Sequence, residues 1–275
     1  MSAIRAATVL ALWGGAFGEQ RASADELLQQ LAETGFNAGV RADDAVTAER
    51  TGLPGPGSAG AGTIDLLALL RESGTPELLL PVPGDLRGLP PKSTSVIAAL
   101  DAGAAVLLPA AALLVIPTNG FWRVHDATGP EDGRGNSSAA GSVLEAELAL
   151  DGAIRTATRR LMVLDIARDS ASVREQIAAK MRDAAVPLPP GVRRSCSALL
   201  AKAISLQALL EVAQQHQTGA VSRHELGAVD DALRPLAAAV RFGRLAAVAH
   251  ALVSRSHQEA SPHHPAVHKN LNAYE

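Results

Sequence analysis

The stretch Thr128-Gly129-Pro130-Glu131-Asp132-Gly133-Arg134-Gly135-Asn136-Ser137-Ser138-Ala139-Ala140-Gly141 divides the chain into two unlike parts. Before it, short apolar runs are cut up by Gly and Pro; after it, apolar residues recur at helical spacing with few interruptions. The stretch itself has few apolar side chains, so it cannot bury enough surface to offset the entropy of ordering, and it reads as a connector. The expected organisation is a mixed α/β domain over 1–127, a flexible connector over 128–141, a helical domain over 142–255 and a loose histidine-containing tail over 256–275. The fold class is α+β: a small sheet with helices first, then an all-α hairpin or bundle.

Working outward toward the N-terminus, Phe121–Ala127, Leu113–Pro117 and Ala104–Leu108 read as three strands. Asn119-Gly120 marks a hairpin turn, since both residues tolerate positive φ. Further strands are expected at Glu77–Val82 and near Val40, with residues 36–62 otherwise weakly structured. Helices are expected over 3–17, ending at Gly14-Gly15 or Gly18, then from Ser23 to Thr34, over Ile64–Ser73 after a Thr63 cap, and from Ser93 or Ser95 to Ala102. Ser23 and Glu26 form a capping box, each side chain satisfying a free backbone N–H of the first turn.

Toward the C-terminus, Val143, Leu150, Ile154, Ala157, Leu161 and Leu164 form one helical stripe. Cys196, Leu199, Leu200, Ala203, Leu206 and Leu210 form a second, and Leu226, Val229, Leu233, Leu236, Val240 and Val248 a third. Such i, i+3, i+4 recurrences give each helix one face to bury. Ser172/Glu175 and Ser222/Glu225 are further capping boxes, and Pro235 is expected to kink the last helix or split it.

Composition excludes several function classes. The chain has 275 residues, 47% hydrophobic, 19% charged and only 3% aromatic, with a net charge of −3. A core of Leu, Val, Ile and Ala offers few stacking platforms for bases or sugars. The charge is uneven: residues 1–140 carry a net −6 and residues 141–275 a net +3. That is too dilute for the basic stripe nucleic acid needs, so no nucleic-acid partner is expected. No apolar stretch reaches the ~18 residues of a membrane span, and the N-terminal apolar run reads as a packed helix in preference to an export signal. One cysteine, Cys196, allows no internal disulfide. A cytoplasmic protein without membrane partner or cofactor is expected.

Leu12-Trp13-Gly14, the segment Leu80–Pro90 and Leu199–Glu211 resemble uncharacterised Ala/Leu-rich proteins of high-GC actinobacteria. The resemblance implies a bacterial, intracellular origin and brings no activity or site residues.

Candidate chemistry is sparse. The loop Pro83–Ser95 follows a strand and leads into a helix start, an arrangement that presents free N–H groups to an anion. Asp85, Arg87, Lys92 and Ser93 are its ligand-binding candidates, the alternative being a rigid turn with solvated charges. His125-Asp126 invites a catalytic reading, but adjacent strand residues point to opposite faces and no nucleophile accompanies them. Gly57–Thr63 lacks the Lys of a phosphate loop. Cys196, on an apolar stripe, reads as a buried thiol. His263, His264 and His268 are weak metal candidates whose spacing Pro265 spoils. Arg155, Arg159 and Arg160 share one side of a helix as a charged face or a partner surface. With no complete catalytic motif, the leading expectation is a non-enzymatic interaction or regulatory protein whose helical half docks a partner or a second copy of itself. The alternative is a small-molecule enzyme or sensor binding a phosphorylated or other anionic ligand at the 83–95 loop.

Overall fold

The computed structural model describes residues 2–90, 94–128, 141–163, 171–216 and 223–252. The connector over 129–140, the tail beyond 252, Lys92, Ser93, Leu164 and Ser222 lie outside the described residues, as do the side chains of 161–172 and 215–230.

The chain runs α1 (Ala3–Gly18), α2 (Ala24–Ala32), β1 (Gly39–Ala42), α3 (Ala45–Thr51), α4 (Asp65–Arg71), β2 (Glu77–Leu79), α5 (Thr94–Ala102), β3 (Ala105–Leu108), β4 (Leu113–Thr118) and β5 (Phe121–Asp126). Then follow α6 (Val143–Val163), α7 (Ala171–Ala184), α8 (Arg194–His216) and α9 (Arg223–Ala249). The fold is α+β: a small five-stranded mixed sheet in the first half and helices in the second.

Helix α1 is the hub. Every residue from Ala6 to Ala16 is buried, as a helix apolar on all sides must be. It lies against β2, β3, β4, α2, α4 and α9. Of the two ends the sequence offers, Gly14-Gly15 and Gly18, the helix takes Gly18. A Cβ at Gly14 would sit 3.0 Å from Leu70 Cδ2, and one at Gly15 3.2 Å from Leu252 Cδ1. The glycines admit α4 and the chain end of the helical half, which outweighs their helix-breaking tendency.

The sheet order is β1-β5-β4-β3-β2, with β1 parallel to β5 and the remaining pairs antiparallel. Asn119 and Gly120 take φ of 50° and 80°, the turn their sequence implies. Val106, Val115, Trp122 and Val124 face the α1 side, while Ala105, Leu107, Leu114 and Ile116 face α5. Both faces are thus covered in the middle of the sheet. The Gly57–Thr63 stretch serves β1: Val40 and Ala61 exchange backbone hydrogen bonds of 2.9 and 2.8 Å.

Four further readings change. Residues 36–62 contain α3, capped by Asp44 Oδ1 accepting from Thr47 N at 2.7 Å. Helix α4 starts after Ile64 without a side-chain cap, so Thr63 does not cap it. Ser95 lies inside α5 and Ser172 inside α7, so neither is the residue before its helix. The Ser23/Glu26 box forms as expected, and a second box absent from the sequence reading joins Ser142 and Glu145 at the start of α6.

In the second half, α9 packs between α6 and α8, and α7 against α8. Gly243 lets the helices approach: its site lies 3.5 to 3.9 Å from Leu199, Leu150 and Ala203 side chains. Helix α9 runs unbroken through Pro235. Proline has no N–H to give the carbonyl four residues earlier. That carbonyl, Asp231 O, instead accepts from Arg160 Nη1 at 3.2 Å. Among the described residues, only α8, over Arg194–Gln214, is long and apolar enough to cross a membrane. It is packed against α9 and α7, with Cys196, Leu199, Leu200, Ala203 and Leu210 buried.

Candidate functional site

β2 is an edge strand, so one side of its backbone has no strand neighbour. Directly after it the chain turns sharply at Val82–Asp85, where Val82 and Asp85 exchange backbone hydrogen bonds of 3.2 and 2.9 Å. Pro83 and Gly84, the latter at φ 87°, are the residue types a type II turn requires at its centre. Gly88 is equally constrained, since a Cβ there would meet Leu79 Cδ2 at 2.6 Å. The loop is therefore folded back over its own strand, which fixes where Asp85 and Arg87 stand.

Arg87 grips the Asp85 carboxylate with two parallel bonds, Nε to Oδ1 and Nη2 to Oδ2, each 2.8 Å. From the other half of the chain, Arg241 of α9 donates Nη2 to Asp85 Oδ2 at 2.6 Å and Nη1 to the Leu80 carbonyl at 3.3 Å. The Arg87 hydrogen bonds hold the Asp85 carboxyl far below the usual carboxylate range; burial opposes them and the Arg241 charge assists. Arg87 is raised in turn, by the same bonds. Its side chain is 63% exposed, against 20% for Arg241 and 21% for Asp85. Arg87 is the group most open to a ligand.

Beside this cluster lies a cleft of about 560 Å³ between β2, the 80s loop, α6 and α9. It exists because the facing helices present small residues: Ala149, Gly152 and Ala153 on α6, Ala238 and Ala239 on α9. Leu78, Leu79, Phe242 and Leu245 supply apolar walls, and Asp85, Arg87 and Arg241 the charge. An apolar trough with a few convergent charged groups is the usual form of a small-molecule site.

Of the sequence candidates, the structure brings Asp85 and Arg87 together; Lys92 and Ser93 fall outside the described residues, so the start of α5 contributes no geometry. Sequence reasoning missed Arg241. Its only signal is a charge within the apolar stripe of α9, which spacing alone cannot connect to a loop 156 residues away.

A second polar group lies on the sheet. His125 and Asp126 do not face each other. Asp126 pairs with Arg50 at 2.8 Å, whereas His125 Nδ1 lies 3.2 Å from Asp43 Oδ2, and Arg123 Nη1 3.3 Å from Asp43 Oδ1. The imidazole is buried and its Nε2 has no protein partner. Burial pulls its pKa down, Asp43 opposes, and Arg123 adds to the lowering. Cys196 is buried, donates Sγ–H to His250 O at 3.1 Å, and has its pKa pushed up by burial. Such a thiol is a poor nucleophile. Among the described residues no three His, Cys, Asp or Glu side chains gather as metal ligands; His263, His264 and His268 lie outside them. Arg155 and Arg159 are exposed, and Arg160 is engaged by Asp231 O.

Residues 7–134 match the N-terminal domain of the Rv1486c-like protein family, and residues 144–245 match its C-terminal domain. The uncharacterized protein Rv1486c of Mycobacterium tuberculosis is 32% identical over 276 residues, covering 87% of this chain and 94% of the relative. The uncharacterized protein ML1804 of Mycobacterium leprae is 29% identical over 285 residues, with the same coverage of each chain. No solved structure matches the chain.

Proposed function

The chain belongs to the Rv1486c-like protein family, and we propose that its function is to bind a small anionic molecule in the cleft between its two halves. The observation that carries this reading is the convergence of Arg87 and Arg241, from distant parts of the sequence, at the edge of an apolar cleft of about 560 Å³. Two guanidinium groups against one carboxylate leave a net positive charge to attract an anion. Among the described residues the cleft pairs no nucleophile with a base, which supports a binding or sensing role.

A thermal-shift screen of anionic metabolites, followed by calorimetric titration of hits, tests it. Ligands should stabilise the wild type and lose most of that effect with Arg241→Ala. Gly152→Leu gives a second test: a Cβ at Gly152 meets only Arg155 Nη2, at 4.0 Å, so a larger side chain there fills the cleft at little cost to the fold. It should abolish binding while the protein still melts cooperatively. A hit that binds Gly152→Leu as well as wild type sinks the reading.

A second reading, in which the helical half docks a protein partner or a second copy of the chain, is supported by Leu144 and Leu148 on α6. They stand one turn apart and are 65% and 62% exposed, an apolar ridge of the kind that marks an interface. Light scattering during size-exclusion chromatography should show a dimer or complex that Leu144→Glu/Leu148→Glu dissolves; a strict monomer with no recovered partner removes this reading.

A further inference from the structure

We infer that the ligand of the cleft is a carboxylate on a slender aliphatic chain, and that Asp85 is its built-in stand-in, holding Arg241 until the ligand arrives. This rests on the cleft being a ligand site. It adds the chemical class of the ligand and the way its entry is regulated.

The head group follows from the cluster itself. The geometry already shows a carboxylate bound: two parallel bonds from Arg87 and an end-on bond from Arg241. That fork-to-fork arrangement is the one guanidinium favours for planar carboxylates. Charge favours the same answer. Asp85 displaced from Arg241 stays paired with Arg87, so the charge left for the ligand is the single one of Arg241, which one carboxylate neutralises. A phosphate dianion would leave surplus negative charge beside an apolar wall, which is costly. The tail follows from the walls. Ala149, Gly152, Ala153, Ala238 and Ala239 leave a trough in which Thr156 is, among the described residues, the one uncharged hydrogen-bonding side chain, so a chain of methylenes gains by burial where a sugar or base would lose most of its hydrogen bonds to water.

The regulation follows from competition. Arg241 Nη1 is committed to the Leu80 carbonyl and Nη2 to Asp85. A ligand carboxylate that takes over the 2.6 Å bond from Arg241 Nη2 displaces Asp85 from it, while the paired bonds from Arg87 keep the Asp85 carboxylate ionised and in place. Asp85 is attached to the 80s loop and Arg241 to α9, so exchange also releases one of the links between the halves.

The test is calorimetric titration of the full chain with decanoate, decyl phosphate and decyltrimethylammonium, on wild type, Asp85→Asn and Arg241→Ala. The expected result is decanoate binding that tightens about tenfold in Asp85→Asn, one charge-assisted bond's worth of competition removed, and weakens by about as much in Arg241→Ala. Decyltrimethylammonium should not bind. Equal or weaker decanoate binding in Asp85→Asn overturns the stand-in while leaving the cleft as a ligand site. Tighter binding of decyl phosphate than decanoate overturns the carboxylate class. No binding of any anion to wild type or Asp85→Asn overturns both this inference and the reading beneath it. Asp85→Ser, which also removes the charge, repeats the comparison if Asp85→Asn does not melt cooperatively.

Discussion

His125 is the residue at which pH should be felt first. Burial lowers its pKa from 6.5, with Asp43 and Asp44 opposing and Arg123 assisting. The folded protein then binds fewer protons at this site than the unfolded chain, so stability rises with pH across the interval between the depressed folded value and the unfolded one. The neutral imidazole's contribution is complete above about 6.5 and is lost as pH falls below it. The melting temperature should drop between pH 7.5 and 5.5, and His125→Gln should flatten that drop; an unchanged slope in the variant assigns the titration elsewhere. Arg244 is the opposite case. It is 2% exposed, its Nε has no acceptor among the described residues, and burial lowers its pKa to about 10, with the Glu211 charge opposing. The group therefore stays charged at neutral pH inside the helical half. Exchanging a buried guanidinium for an apolar side chain of similar length removes its desolvation cost, and Glu211 keeps Lys180 as a partner at 3.6 Å, so no buried charge is stranded. Arg244→Met should raise stability by about 1 kcal/mol in urea unfolding. A loss instead would mean the guanidinium has a role beyond packing.

Among the elements, β1 and α9 each rest on one unusual residue. Gly39 opens β1 at φ 116°, and a Cβ there would fall 2.4 Å from the Ala61 carbonyl oxygen. Gly39→Ala should cost about 3 kcal/mol, combining backbone strain with displacement of the segment that covers the sheet edge. Chemical denaturation measures it, and a loss below about 1 kcal/mol would mean the edge rearranges freely. In α9 the sequence leads one to expect a kink or a split at Pro235, because proline removes a hydrogen bond, and the helix is not split. The Arg160 guanidinium reaches the carbonyl left without a donor, and α9 is packed between α6 and α8. Arg160→Ala should cost about 1 kcal/mol in the wild-type background and close to nothing once Pro235→Ala restores the N–H. An additive double-mutant cycle would show that the two residues act independently.

At the scale of the whole molecule, the two halves share one core. Trp13 Nε1 donates to the Pro187 carbonyl at 3.0 Å and Arg5 Nε to the Ala185 carbonyl at 2.8 Å, both from α1 to the segment after α7. Arg241 adds its bonds to Leu80 and Asp85. The largest apolar cluster runs without interruption from α1 and the sheet into α6, α8 and α9. The halves should therefore unfold together: fluorescence from Trp13 and Trp122 and far-ultraviolet circular dichroism should give coincident urea transitions. Two separated transitions would mean the shared core contributes little.

Much of this architecture was legible locally. The strands over 104–126, the Asn119-Gly120 turn, the Ser23/Glu26 box and the stripes of α6, α8 and α9 depend on neighbours within a few residues, where periodicity and turn chemistry act. The readings that changed were of two kinds: short local elements, such as α3, and places where distant chain meets a glycine or proline. Leu70 and Leu252 close on Gly14 and Gly15 within α1, Arg160 reaches the carbonyl that Pro235 leaves without a donor, and α3 forms although its seven residues are too short to declare a period. The site divides in the same way. Asp85 and Arg87 stand two residues apart and were visible as a pair. Arg241 and the small-residue walls of α6 and α9 join them only when the bundle closes on the free edge of β2. Local chemistry determined the elements and half of the cluster; long-range packing alone placed the other half and made the cleft.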